Sequence, residues 1–134
     1  MPADIKERLA TLGPALARCP GVVFAYLFGS AGAGRIRPLS DVDVAVYLDE
    51  AVDPLEARLA AVRAVTAHLG TDEVDLVVLN RAPTALSGRI LATRRILLDR
   101  DPFRRHRFES VALRTFLDFR ILEHRLLARR AAGG

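Results

Sequence analysis

The chain has 134 residues, 51% of them hydrophobic and 27% charged, with a net charge of +4. That length suits one domain with a core that needs no metal or disulfide staples, and the hydrophobic share excludes intrinsic disorder. No apolar run approaches the roughly 18–20 residues that span a bilayer. The start MPADIKERLA lacks the basic-then-apolar pattern of a secretory signal, and Cys19 has no second cysteine to pair with, so a soluble cytoplasmic protein is expected.

The basic excess is concentrated at one end. Residues 1–99 carry 11 basic and 12 acidic residues, whereas residues 100–134 carry 9 arginines and 4 acidic residues. Acids and leucines interrupt those arginines, and the segment is expected to lack exposed aromatics that would stack bases. A solvated helix face or a protein-docking surface explains it better than nucleic acid.

Ile5, Leu9, Leu12 and Leu16 recur at helical spacing, and Gly13-Pro14 within them predicts a kink or two short helices. Val22–Phe28 is a continuous apolar run bounded by glycines, which predicts a buried strand. Gly29–Leu39 has three glycines and a proline and reads as a loop with at most one helical turn. Asp41–Leu48 alternates Asp and Val before turning apolar, a second strand. Asp53-Pro54 supplies an N-cap and first-turn proline, Leu55, Leu59, Val62, Val65 and Leu69 continue the helix, and Gly70 closes it. Glu73–Leu79 predicts a third strand, Pro83–Leu91 a helix halted near Thr93, and Arg94–Leu98 a short fourth strand. Asp101-Pro102 repeats the capping pair and opens a long helix to about Arg130, with Ala131–Gly134 expected to fray. Strands separated by helices define an α/β domain of two or three layers, and no composition break divides residues 1–134.

Chemistry concentrates in Gly29-Ser30, followed after ten residues by Asp41-Val42-Asp43. Residues i and i+2 of a strand share a face, so Asp41 and Asp43 present two carboxylates together. Like charges so placed repel, and a hard divalent cation between them offsets that repulsion. Asp75, early in the next strand, completes a three-carboxylate cup if the strands are neighbours. Such a cup around Mg²⁺ suits phosphoryl or nucleotidyl displacement. Gly29 permits a sharp turn, and the Ser30 hydroxyl can donate to a phosphate. The spacing of Gly29 and Gly34 is that of a P-loop, but Arg35-Ile36 stands where Lys-Ser/Thr is required. His68, His106 and His124 have no ligand partner at metal spacing, and Tyr26 and Tyr47 fall in strands as core residues.

The Gly-Ser-x10-Asp-x-Asp pattern, with Val74-Asp75-Leu76-Val77 some thirty residues on, resembles the nucleotidyltransferase superfamily of DNA polymerase β. The small size, Ala25–Ser30 and the ending Phe116-Leu117-Asp118-Phe119-Arg120 resemble the minimal nucleotidyltransferase (MNT) antitoxins of HEPN/MNT toxin–antitoxin systems. The resemblance implies a small α/β nucleotidyltransferase fold: a central mixed sheet of three to four strands, flanking helices and a long C-terminal helix. It implies transfer of AMP from ATP to a tyrosine of a HEPN RNase toxin, with Mg²⁺ held by catalytic Asp41, Asp43 and Asp75. Gly29, Ser30 and Arg35 would bind the nucleotide. The family's Gly-Ser-Arg-Ala-Arg-Gly loop is here Gly29-Ser30-Ala31-Gly32-Ala33-Gly34, so two arginines are absent, and Arg35 and Arg37 are the candidates to replace them. Two other functions fit the same residues: an antitoxin that neutralises by binding alone, or a nucleotidyltransferase for a small molecule or RNA.

The last helix carries two apolar stripes. Phe108, Val111, Ala112, Phe119, Leu122 and Leu126 form one, expected to pack on the sheet. Leu113, Leu117 and Ile121 form the other, expected to meet a HEPN toxin or a second copy of the chain, giving a hetero-oligomer or homodimer.

Overall fold

The computed structural model describes residues 2–32 and 41–133. Two short helices, α1 (Ile5–Ala10) and α2 (Leu12–Leu16), lead into strand β1 (Val22–Phe28) and a single helical turn, α3 (Gly29–Gly32). Strand β2 (Val42–Leu48), helix α4 (Pro54–Leu69) and strand β3 (Val74–Val78) follow. A 3-10 turn at Leu79–Arg81, helix α5 (Thr84–Thr93), strand β4 (Arg95–Asp99) and helix α6 (Pro102–Gly133) complete the order.

The strands form one mixed sheet in the order β3-β2-β1-β4. β1 is antiparallel to both β2 and β4, while β2 and β3 are parallel and joined through α4. This is the mixed four-stranded sheet with flanking helices that the resemblance implies.

The sheet is covered on both faces. On one, Leu12 and Leu16 of α2 and Val65 and Leu69 of α4 pack with Val22, Leu27, Val44 and Val46. On the other, Ile90 and Leu91 of α5 and Phe108 and Ala112 of α6 pack with Phe24, Tyr26, Phe28 and Ala45. β1 is buried along its whole length because both layers meet on it. A bulge between Val22 and Phe24 lets the strand switch the faces of its side chains: Val22 pairs with Leu48, and Phe24 with Tyr47. Phe24 stacks on Tyr47 at 4.8 Å between ring centroids, and Phe108 closes the aromatic group from α6.

The kink predicted at Gly13-Pro14 falls slightly earlier, at Thr11, so Pro14 sits in the first turn of α2, where its missing N–H costs nothing. Asp53 caps α4 as expected, its Oδ1 accepting from the N–H groups of Leu55 (2.9 Å) and Glu56 (3.2 Å). The face of α4 differs from the predicted stripe. Val65 and Leu69 of that stripe are buried as expected, but Leu55 and Leu59 are 64% and 41% exposed, and Ala61 is buried in their place. The small Ala61 allows the close approach of helix to sheet, which a count of leucines does not reveal.

Helix α6 departs further from expectation. Its 32 residues correspond to about 48 Å, longer than the sheet it lies on. Phe108, Ala112 and Phe116 face inward, and Phe116 rests on Gly88 of α5, where any Cβ would collide with the ring. Beyond Phe116 the helix outruns the domain. Phe119, Leu122 and Leu126, predicted to pack on the sheet, are 42%, 56% and 53% exposed, and Val111 is exposed too. Ala131–Gly133, predicted to fray, continue the helix.

A polar group fastens the base of α6 to β1. The Tyr26 hydroxyl donates to Glu109 Oε2 at 2.7 Å, and Arg94 Nε donates to the same oxygen at 2.8 Å. Arg105 donates to Glu109 Oε1 at 2.8 Å and to Asp99 Oδ2 at 2.7 Å. Burial and the neighbouring Glu109 carboxylate push the Tyr26 hydroxyl far above the ordinary range, so it stays protonated and donates to Glu109.

Candidate active site

Three strands bring their chemistry to one place. Phe28 at the end of β1 pairs with Asp43 of β2, and Asp43 pairs with Asp75 of β3. In this register Asp43 and Asp75 are side by side on the face that α5 covers, because Val42 and Val44 point to the other core. Asp41 precedes the strand by one residue and shares that parity. Asp43 is half-buried, whereas Asp41 and Asp75 are exposed.

Gly29 turns the chain directly over Asp43. Its φ of +69° favours glycine, and a Cβ there would lie 2.5 Å from Asp43 Oδ2, so any larger residue would also displace that carboxylate. The Gly29 N–H donates to Thr93 Oγ1 at 2.9 Å, and the Thr93 hydroxyl leans on the Arg89 carbonyl at 3.3 Å. The last turn of α5 therefore fixes the turn that follows β1. Together Gly29, Asp43 and Asp75 on the sheet side, and Leu86, Arg89 and Thr93 on α5, line an open cavity of about 650 Å³.

The electrostatics are those of crowded anions. Burial, then the Asp75 carboxylate, then that of Asp41 push Asp43 above the usual carboxylate range. As the side chains stand, no group of three or more His, Cys, Asp or Glu among the described residues is close enough to hold a metal ion. The three-carboxylate cup is thus an adjacency rather than a closed ligand set. The donors are nonetheless hard oxygens of the kind Mg²⁺ takes, and a cation beside Asp43 would relieve its repulsion.

The other expected site residues fall as follows. Ser30 is half-buried in α3, immediately after the Gly29 turn. Arg35 and Arg37 lie outside the described residues. Ala31 is buried against the core rather than facing the carboxylates. Arg89 and Thr93 were not foreseen. Leu86, Arg89 and Thr93 share a helix face by spacing, but only the tertiary packing shows that this face meets the carboxylates. His68 is held structurally, its Nε2 2.8 Å from Thr11 Oγ1 and 2.9 Å from the Arg8 carbonyl oxygen.

Residues 11–103 match the family model described as polymerase beta, nucleotidyltransferase. The chain belongs to this nucleotidyltransferase family. Its strands β1, β2 and β3, with Gly29, Asp43 and Asp75, all lie within the matched span. No curated protein gives a match to the sequence.

Solved structures share the fold. A chain from the tri-AMPylated Shewanella oneidensis HEPN toxin in complex with MNT antitoxin superposes with a TM-score of 0.61 at 22% identity, over 96% of this chain and 94% of that one. A toxin–antitoxin structure with AMP-PNP gives a TM-score of 0.60 at 23% identity, over 90% of this chain and 94% of that one. An MntA–HpeT toxin–antitoxin mutant with two Asp→Glu substitutions gives 0.61 at 23% identity, over 89% and 90%. The shared fold extends through most of α6, beyond the span of the family model.

Leu113, Leu117 and Ile121 are 48%, 49% and 51% exposed on the outer side of α6. Among the described residues no helix is long and apolar enough to cross a membrane.

Proposed function

We propose that this chain is the antitoxin of a HEPN/MNT pair and transfers AMP from ATP to a tyrosine hydroxyl of its HEPN toxin. The observation that carries the reading is the in-register pair Asp43–Asp75 beneath the Gly29 turn, in a chain of the nucleotidyltransferase family. Support for the partner comes from the shared fold with chains of toxin–antitoxin complexes, one bearing AMP-PNP and one a tri-AMPylated HEPN toxin.

In this mechanism Asp41, Asp43 and Asp75 would hold Mg²⁺, which supplies Lewis-acid stabilisation of phosphate charge when bound. Asp75, exposed at the cavity edge, accepts the proton of the acceptor hydroxyl. The hydroxyl oxygen attacks the α-phosphorus, the bond from that phosphorus to the bridging oxygen breaks, and pyrophosphate leaves. The Gly29 N–H is committed to Thr93, so among the described residues of this loop the Ser30 hydroxyl would donate to the phosphate, and Arg35 remains the basic candidate beyond them. Leu113, Leu117 and Ile121, apolar and rimmed by arginines, would meet the toxin.

The second reading is neutralisation by binding alone, favoured by the apolar length of α6 that stands clear of the domain. Toxin inhibition by an Asp43→Asn variant separates the two. Under AMP transfer the variant fails to silence the toxin enzymatically. Full silencing at equal concentration, with no modification of the toxin, would support binding alone.

A further inference from the structure

Among the described residues, the lining of the cavity is rich in acid and holds one base. Asp43 and Asp75 line it, Asp41 stands beside them, and Arg89 is the only basic residue among its described lining. Any ligand with several phosphates adds negative charge beside the Asp43 and Asp75 carboxylates. A fixed cation is needed for the phosphate oxygens that face away from the carboxylates.

Arg89 is placed and available for this. It lies one helical turn before Thr93, whose Oγ1 holds the Gly29 N–H, so the position of α5 against the loop is fixed at that point. Among the described residues no hydrogen bond or ion pair engages its guanidinium. Most arginines near it are already committed: Arg94 and Arg105 to Glu109, and Arg105 also to Asp99. An exposed arginine left without a carboxylate, on the wall of a cavity holding two, has phosphate as its natural counter-ion.

We propose that Arg89 binds the β- and γ-phosphates of the nucleoside triphosphate and positions pyrophosphate as the leaving group. This rests on the nucleotidyl-transfer reading above and adds to it the residue that distinguishes a triphosphate from a monophosphate. The guanidinium offers paired N–H donors to phosphate oxygens, so lysine replaces it only in part.

The test is nucleotide binding by the full chain, with Mg²⁺, measured calorimetrically with a non-hydrolysable ATP analogue and with AMP. Arg89→Ala is expected to weaken the triphosphate analogue roughly ten- to a hundredfold. It should leave AMP affinity and melting temperature near those of the parent, and Arg89→Lys should recover part of the loss. With protein acceptor present, KM for ATP should rise more than kcat falls. Equal triphosphate binding by Arg89→Ala and the parent overturns this assignment alone, as does an equal loss for AMP. A parent chain that binds neither nucleotide overturns both this assignment and the nucleotidyl-transfer reading.

Discussion

A methyl group added to Gly29 would sit 2.5 Å from Oδ2 of Asp43. The turn after β1 thus lies against the central carboxylate of β2, and an alanine there requires that carboxylate to turn away. Gly29→Ala must also hold a φ of +69°, which costs an alanine about 1–2 kcal/mol. The variant should fold with a melting temperature a few degrees lower and lose nucleotidyl transfer far more severely. Activity reduced only in proportion to stability would contradict this fit.

Asp43 gives a pH signature. Its carboxyl is raised in the folded chain by burial and by Asp75 and Asp41, so the folded state holds the proton more tightly than the unfolded one. The ionised form therefore destabilises the fold. That penalty is absent below the ordinary aspartate value of about 3.9 and is complete once the pH exceeds the raised folded value. Asp43→Asn should melt higher than the parent at neutral pH without divalent ions, and the difference should shrink on acidification. An Asn variant that melts lower at pH 7 would refute the crowding argument.

The register makes Asp75, rather than its acidic neighbours, the partner of Asp43. Asp75→Asn should abolish AMP transfer, as should Asp41→Asn, while Asp72→Asn and Glu73→Gln remain active. Loss of activity in Asp72→Asn with retention in Asp75→Asn would reassign the third carboxylate.

Glu109 receives hydrogen bonds from Tyr26, Arg94 and Arg105. Tyr26→Phe removes one of them and should cost about 1 kcal/mol. Glu109→Ala leaves all three donors without their acceptor and should cost more, as a larger fall in the denaturation midpoint. Equal losses would mean that the tyrosine hydroxyl alone matters.

The exposed outer stripe of α6 gives the partner test. Leu117→Glu places a charge on a half-exposed position, so the isolated chain should melt as the parent does and lose its toxin in pull-down. Unfolding of the isolated variant would assign Leu117 to the fold instead.

Much of this architecture is legible in local pattern. The apolar run of β1, the Asp53-Pro54 cap of α4 and the Asp-x-Asp entry to β2 each follow from residue chemistry over a few positions. The same spacing identified Asp41, Asp43 and Asp75 as candidates. What local pattern does not carry is where an element ends in space. The stripe Phe108, Val111, Ala112, Phe119, Leu122 and Leu126 continues along the helix, but Phe119, Leu122 and Leu126 stand exposed beyond Phe116, which rests on α5. Helix α4 shows the same limit, since its exposed Leu55 and buried Ala61 are assigned by the approach distance of the helix and not by hydrophobicity. That Arg89 and Asp43 line one cavity depends on how α5 packs against the sheet, which no local pattern carries.

Incubation of the purified chain with the HEPN protein of its own genome, ATP and Mg²⁺, followed by intact-mass and peptide mass spectrometry, tests the central claim most directly. AMP transfer predicts one or more AMP-sized mass increments on a toxin tyrosine, lost in Asp43→Asn. An unmodified toxin, silenced equally by the parent chain and by Asp43→Asn, would contradict it.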